Sequence, residues 1–133
     1  MPELNVLVVD DEPAVRQVLA AAVGKAGYAV ETAASASEAL ARLDKTPFDV
    51  VLSDVFMPVT DGIELLKQAR ARGHAATFIM VTAFASVDSA IDAIKAGAWD
   101  YITKPVRTEE ILHRLEQISA MQGLREENRA LRT

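Results

Sequence analysis

The sequence predicts an α/β fold, a doubly wound parallel sheet of five strands with helices on both faces. Two observations carry this expectation. Five short apolar runs, near 4–9, 28–32, 49–53, 77–82 and 99–103, are rich in Val, Ile, Phe and Tyr, the composition of buried strands. Between them, apolar residues recur every three or four positions, which is the helical period. Strict strand–helix alternation with short connections implies a parallel sheet covered by helices.

Each helix has its own signals. In the first, Val15, Val18, Leu19, Ala22, Val23 and Ala26 form one apolar stripe, with Pro13 suited to the first turn and Gly27 to the end. The second fits 36–45, capped by Ser35 or Ser37, with Ala39, Leu40 and Leu43 facing in. The third fits 61–72 and uses Ile63, Leu65, Leu66 and Ala69. The fourth runs from a Ser86 cap through Val87, Ala90, Ile91 and Ile94 and stops at Gly97. The last begins near Thr108 as N-cap and turns Ile111, Leu112, Leu115 and Ile118 toward the sheet. Its pattern continues as Met121, Leu124, Asn128 and Leu131, the spacing of a short coiled-coil seam, with Asn128 at a register-setting position. Gly123 interrupts that run and costs about 1 kcal/mol relative to Ala. No stop signal follows, so 1–120 is expected to form the domain and 121–133 the start of a linker to a further domain.

Composition narrows the function. The chain has 133 residues, half of them hydrophobic, which suits one domain with a substantial core. A net charge of −5 without a basic patch argues against direct nucleic-acid binding by this domain. Cysteine is absent, which excludes disulfides and thiolate metal sites. With no signal peptide and no apolar run of about 20 residues, a cytoplasmic protein without a membrane span is expected.

Four of the five strands end in residues suited to magnesium and phosphate chemistry. Leu7-Val8-Val9 runs into Asp10-Asp11, Val50-Val51-Leu52-Ser53 into Asp54, Phe78-Ile79-Met80-Val81 into Thr82, and Tyr101-Ile102-Thr103 into Lys104-Pro105. In an open parallel sheet the carboxyl ends of the strands share one rim, where ligands bind. Three carboxylates converging there repel one another unless a cation joins them or some take up protons. Mg²⁺, a hard ion that takes few carboxylates and keeps other oxygen ligands, answers that need. Lys104 supplies a point charge whose natural counterpart is phosphate. The structural alternatives are a helix cap from Asp11 or Glu12 and a plain salt bridge from Lys104. The Lys104–Pro105 bond is a candidate for the cis form, since the tertiary amide lowers the usual penalty to about 1 kcal/mol.

Asp10-Asp11, the run Asp54-Val-Phe-Met-Pro-Val-Thr-Asp-Gly62, Thr82-Ala83 and Tyr101-Ile-Thr-Lys-Pro105 together resemble the signature of response-regulator receiver domains of two-component signalling, over about residues 4–120. That resemblance implies a (βα)₅ flavodoxin-like fold with strand order 2-1-3-4-5. It implies that Asp54 accepts a phosphoryl group from a sensor histidine kinase. Mg²⁺ would be bound by Asp11 and Asp54 directly, by Asp10 through water, and by the Phe56 carbonyl. Lys104 and Thr82 would hold phosphoryl oxygens, the Ala83 amide would assist, and Tyr101 would be the aromatic switch whose ring turns inward when Thr82 moves. A domain of this kind is a phosphoacceptor that assists its own phosphorylation and dephosphorylation rather than an enzyme acting on a separate substrate.

Finer expectations follow. The stretches from Thr82 to Ala90 and from Gly97 to Pro105 resemble receivers of the nitrogen-regulation class, in which a linker helix leads to an ATPase that activates a sigma-54 polymerase; transcription regulation is the implied output. Val106 departs from the family pattern, where a bulkier Phe or Leu commonly follows Lys-Pro. Phe56 and Phe84, each two positions after a key residue, are expected either to restrict water near the phosphoryl group or to pack in the core. Trp99 is expected to open the last strand, and a homodimer through the fourth-helix and fifth-strand surface is a further expectation. His74 and His113 lack metal-ligand spacing and read as surface residues. Three rivals remain at this level. A dehalogenase-like Mg²⁺-dependent phosphatase would want an Asp-x-Asp motif at the first strand, where Asp10-Asp11-Glu12-Pro13 stands. A nucleotide-binding module would want a Gly-rich loop, and an interaction module would never take phosphate.

Overall fold

The computed structural model describes the backbone of residues 4–83 and 86–132 and the side chains of that range through Gln122. Strands β1 (Asn5–Val9), β2 (Ala29–Ala33), β3 (Val50–Ser53), β4 (Thr77–Thr82) and β5 (Asp100–Thr103) alternate with helices α1 (Pro13–Lys25), α2 (Ala36–Lys45), α3 (Gly62–Ala71), α4 (Val87–Ala96) and α5 (Thr108–Arg132). The strands pair in parallel in the order β2-β1-β3-β4-β5, the expected arrangement. The chain leaves β1 for one side of it and later returns to the other. The carboxyl ends of β1 and β3 therefore flank a crevice, the place where such sheets bind ligands.

Alternation along the strands divides the interior into two cores. Leu7, Val9, Val51, Phe78 and Met80 pack with Leu40, Leu43, Leu65, Leu66 and Ala93 from α2, α3 and α4. Val6, Val8, Val50, Leu52, Ile79, Val81 and Ile102 pack with Val23 of α1 and Ile111, Leu115 and Ile118 of α5. β3 is buried along its whole length, whereas the edge strand β2 is buried only at Ala33 and does not fit the buried-strand expectation. An edge strand has a neighbour on one side only, so its outward residues stay wet.

Local chemistry sets the helix ends. Ser35, rather than Ser37, caps α2 by accepting from the Glu38 amide at 3.1 Å. Asp61 caps α3 through the Glu64 amide at 2.8 Å. Ser86 opens α4 in a reciprocal capping box with Ser89, and Gly97 closes it at φ 110°, a backbone angle that glycine adopts without strain. Thr108 is the first residue of α5, one position inside the expected cap; the Arg107 carbonyl accepts from the Ile111 amide at 3.3 Å.

Several side chains lie where the period did not put them. Val18 and Ala26 in the α1 stripe are exposed. On α4, Val87, Ile91 and Ile94 face outward while Ala93 is buried. Trp99 precedes β5 and donates its amide to the Phe78 carbonyl at 2.7 Å. His113 is exposed as expected, but His74 is half-buried, its Nε2 2.8 Å from Asp44 Oδ1, and ties the end of α3 to α2. Phe84 and the side chains of Leu124, Asn128 and Leu131, which carry the coiled-coil expectation, lie outside the described residues. Among the described residues, no helix is long and apolar enough to cross a membrane.

Candidate functional site

Three backbone hydrogen bonds carry the sheet one step past its strands and set the site residues in place. The Asp10 amide donates to the Ala33 carbonyl at 3.2 Å, the Asp54 amide to Val9 at 3.0 Å, and the Lys104 amide to Thr82 at 2.8 Å. Asp10, Asp54 and Lys104 thus leave from an extended ladder rather than from a free loop, which gives each a stiff base. Asp10 and Asp54 stand side by side because β1 and β3 pair in register up to Val9 and Ser53.

The side chains converge. Lys104 Nζ donates to Asp10 Oδ2 at 2.9 Å and to Asp54 Oδ2 at 3.3 Å, with all three side chains largely buried. Asp10 Oδ1 accepts from the Glu12 amide at 2.9 Å, and Asp54 Oδ1 from the Phe56 amide at 3.3 Å. Asp11 is exposed at the mouth, yet one oxygen from each of Asp10, Asp11 and Asp54 lies within 4.8 Å of the others. A compact set of hard oxygen donors with more carboxylates than local cations fits a divalent ion such as Mg²⁺. The helix-cap alternative fails at Glu12, which occupies the α1 N-cap position without a side-chain hydrogen bond.

The electrostatics follow from burial. Desolvation raises the Asp54 pKa and Asp10 pushes in the same direction, while Lys104 opposes both. Burial pulls the Lys104 pKa down, but its hydrogen bond to Asp10 and the charges of Asp54 and Asp10 outweigh that, and the ammonium is stabilised.

Thr82 is fully buried at the end of β4. Met80 pairs with Tyr101 and Thr82 with Thr103, so Thr82 and Tyr101 lie on the same sheet face, the one toward α4. The Tyr101 ring packs against that core and its phenol oxygen is 2.6 Å from Ser89 Oγ. Ala83 is exposed beside the rim, and the Lys104–Pro105 bond is cis. Phe56 is exposed, which sets aside core packing for that ring. A cleft of about 470 Å³ opens beside Lys104, lined by Ala14, Val15, Val18 and Leu19 of α1 with Val81, Ala83, Pro105 and Val106.

Sequence reasoning missed three supporting residues. Arg16 donates to the Asp10 carbonyl at 2.7 Å and braces the turn that carries Asp10 and Asp11. Gly62 lies against Asp54 so closely that a Cβ there would stand 2.1 Å from the Asp54 carbonyl oxygen. Ser53 is buried and donates to the same carbonyl at 2.9 Å. Of these only Gly62, in an Asp-Gly pair opening a helix, carried a visible signal.

A family profile for the response regulator receiver domain matches residues 6–116. The transcriptional regulatory protein ZraR of Salmonella typhimurium is 40% identical over 118 residues, covering 89% of this chain and 27% of that protein. The chemotaxis protein CheY4 of Vibrio cholerae superposes with a TM-score of 0.83 at 36% identity, over 88% of this chain and 99% of that chain. NtrX from Brucella abortus gives a TM-score of 0.87 at 27% identity, over 98% of this chain and 30% of that chain. The chain therefore spans only about a quarter of the length of ZraR. With the sheet order, the acidic rim and the family match in agreement, the chain belongs to the response regulator receiver domains, the phosphorylation-dependent switches of two-component signalling.

Proposed function

We propose that Asp54 is the phosphoacceptor and that a sensor histidine kinase supplies the phosphoryl group. The observation that carries this reading is the single Lys104 ammonium held between Asp10 and Asp54 at the rim. An Asp54 oxygen forms the bond to phosphorus as the bond from phosphorus to the donor's imidazole nitrogen breaks, and that nitrogen keeps the electron pair. Lys104 then meets a phosphoryl oxygen. Asp11 and Asp54 would hold Mg²⁺ directly, Asp10 through water, and the Phe56 carbonyl would complete the protein's share. The ion, when bound, supplies neutralising charge for the transferring oxygens. The apolar cleft beside Lys104 gives the kinase a contact face at the same rim.

An acyl phosphate adds about two negative charges beside Thr82. The Thr82 hydroxyl turns toward them, helped by the Ala83 amide, and Tyr101 follows on the same face of the sheet. We read 1–120 as the receiver unit and 121–133 as the start of a linker to an output domain, which accords with the greater length of the relatives. The resemblance to nitrogen-regulation receivers favours a sigma-54 ATPase as that domain, with transcription regulation in the cytoplasm as the outcome and the α4–β5 face as a dimer contact. The domain is regulatory and does not turn over a separate substrate.

The test is beryllofluoride with Mg²⁺, followed by amide chemical shifts. Shifts at the ends of β1, β3, β4 and β5 that vanish in Asp54→Asn support the reading. Catalytic turnover of a phosphomonoester would instead favour a phosphatase, and no response to beryllofluoride would favour an interaction module.

A further inference from the structure

Tyr101 is held by a hydroxyl that already has another task. Ser89, which meets the phenol at 2.6 Å, is also the inner half of the α4 capping box. Its amide donates to Ser86 Oγ at 3.1 Å, and its Oγ lies 3.3 Å from the Ser86 amide and 3.2 Å from the Ser86 carbonyl. A serine hydroxyl has one proton to donate and two acceptor sites. With the Ser86 amide and the phenol donating and the Ser86 carbonyl accepting, all three are in use. Ser86 Oγ, at 3.0 Å, competes for the acceptor site that the phenol holds.

The first turn of α4 is thereby tied in two ways. The chain ties it to Thr82, four residues before Ser86; the phenol ties it to β5. Tyr101 cannot withdraw without cutting the second tie, and Ser89 cannot follow it without opening the cap. We propose that Ser89 is a positioning residue that clamps Tyr101 to the first turn of α4, so that the aromatic ring and that turn change together. The exposed Val87 belongs to the same turn, so the change reaches an outward apolar side chain directly. This inference rests on the phosphoacceptor reading, since Thr82 and Tyr101 respond to charge at Asp54.

The experiment is amide hydrogen exchange on the whole protein. Tyr101→Phe removes only the phenol oxygen and leaves every atom of the capping box. The Ser89 amide is expected to exchange about fivefold faster in Tyr101→Phe, the worth of one ordinary hydrogen bond. Ser89→Ala is expected to loosen the Tyr101 ring, read from its aromatic resonances, and Ser89→Thr to restore it. Beryllofluoride with Mg²⁺ is expected to bring the wild-type Ser89 amide to the Tyr101→Phe rate and to add nothing further in that variant. Equal exchange in wild type and Tyr101→Phe overturns the clamp. So does an identical beryllofluoride effect in both proteins. If beryllofluoride moves no resonance around Asp54, the phosphoacceptor reading falls instead, while the Tyr101→Phe comparison without it still judges the clamp.

Discussion

Lys104 Nζ lies 2.9 Å from Asp10 Oδ2, although the two residues are 94 positions apart in the chain. The same ammonium is farther from Asp54, at 3.3 Å, so its shorter hydrogen bond is the one to Asp10 while its charge serves both carboxylates. Replacing it leaves two buried carboxylates without a counterion. Lys104→Met is expected to lose about 3 kcal/mol of stability in metal-free buffer, as measured by urea denaturation. Added Mg²⁺ should recover part of the loss, because a divalent ion replaces the missing charge. Equal stability with and without Lys104 would mean that the carboxylates are hydrated rather than paired.

Asp54 predicts the pH dependence. Its pKa is raised above the ordinary 3.8, first by burial. The folded protein therefore keeps this proton to a higher pH than the unfolded chain does. Between those two values the folded state binds more protons, and its stability falls as pH rises. Asp54→Asn removes that contribution. Its unfolding midpoint in metal-free buffer is expected to exceed that of wild type at neutral pH, with the gap closing as pH falls through the carboxylate range. A constant gap at all pH values would refute the assignment.

Gly62 has no room for a side chain. A Cβ would lie 2.1 Å from the Asp54 carbonyl oxygen and 3.0 Å from Ser53 Oγ, so backbone must move. Gly62→Ala is expected to cost about 3 kcal/mol, toward the upper end for an overpacked site. Because the displaced backbone is that of Asp54, phosphoryl uptake from acetyl phosphate should slow as well. A stability loss with normal uptake would separate packing from chemistry.

Val59 is the opposite case. It is fully exposed and holds φ 71°, in the left-handed region that β-branched residues avoid. Val59→Gly relieves that strain and sacrifices no packing. A net gain of about 1 kcal/mol is expected after the larger unfolded-state entropy of glycine is subtracted. Thermal unfolding measures it.

Phe56 stands two positions after Asp54, donates its amide to that carboxylate, and leaves its ring exposed. On the phosphoacceptor reading of Asp54, an exposed ring two positions on would restrict the approach of water to the phosphoryl group. Phe56→Asn is expected to shorten the lifetime of the acyl phosphate severalfold, as followed by loss of radiolabel. An unchanged lifetime excludes this role.

How far the chain could be read in advance depended on the range of the interaction. The bounds of α4, from Ser86 to Gly97, follow from a hydroxyl that caps and a glycine that tolerates a positive φ, both within a few residues. The clustering of Asp10, Asp11 and Asp54 could be anticipated because parallel strands end on a common rim. The α4 surface could not. Its period marks Val87, Ile91 and Ile94 as a stripe, but a period does not say whether the stripe meets a neighbour or water. Val18 misled for the same reason. His74 looked like an ordinary surface residue because its partner, Asp44, belongs to another helix.

The amino-acid order by itself determined the alternating elements, the two ends of α4 and the residues carried at the strand ends, since each depends on local backbone preference or on the shared direction of parallel strands. Only the tertiary structure decided that Arg16 braces the Asp10 carbonyl, that Gly62 abuts Asp54, that the Lys104–Pro105 bond is cis, and that Ser89 serves Tyr101 and the α4 cap together. The physical reason is that hydrogen bonds and close contacts act over about 3 Å, while the helix and strand periods leave the relative rotation and approach of separate elements open. Packing of the two cores against the sheet settles those freedoms.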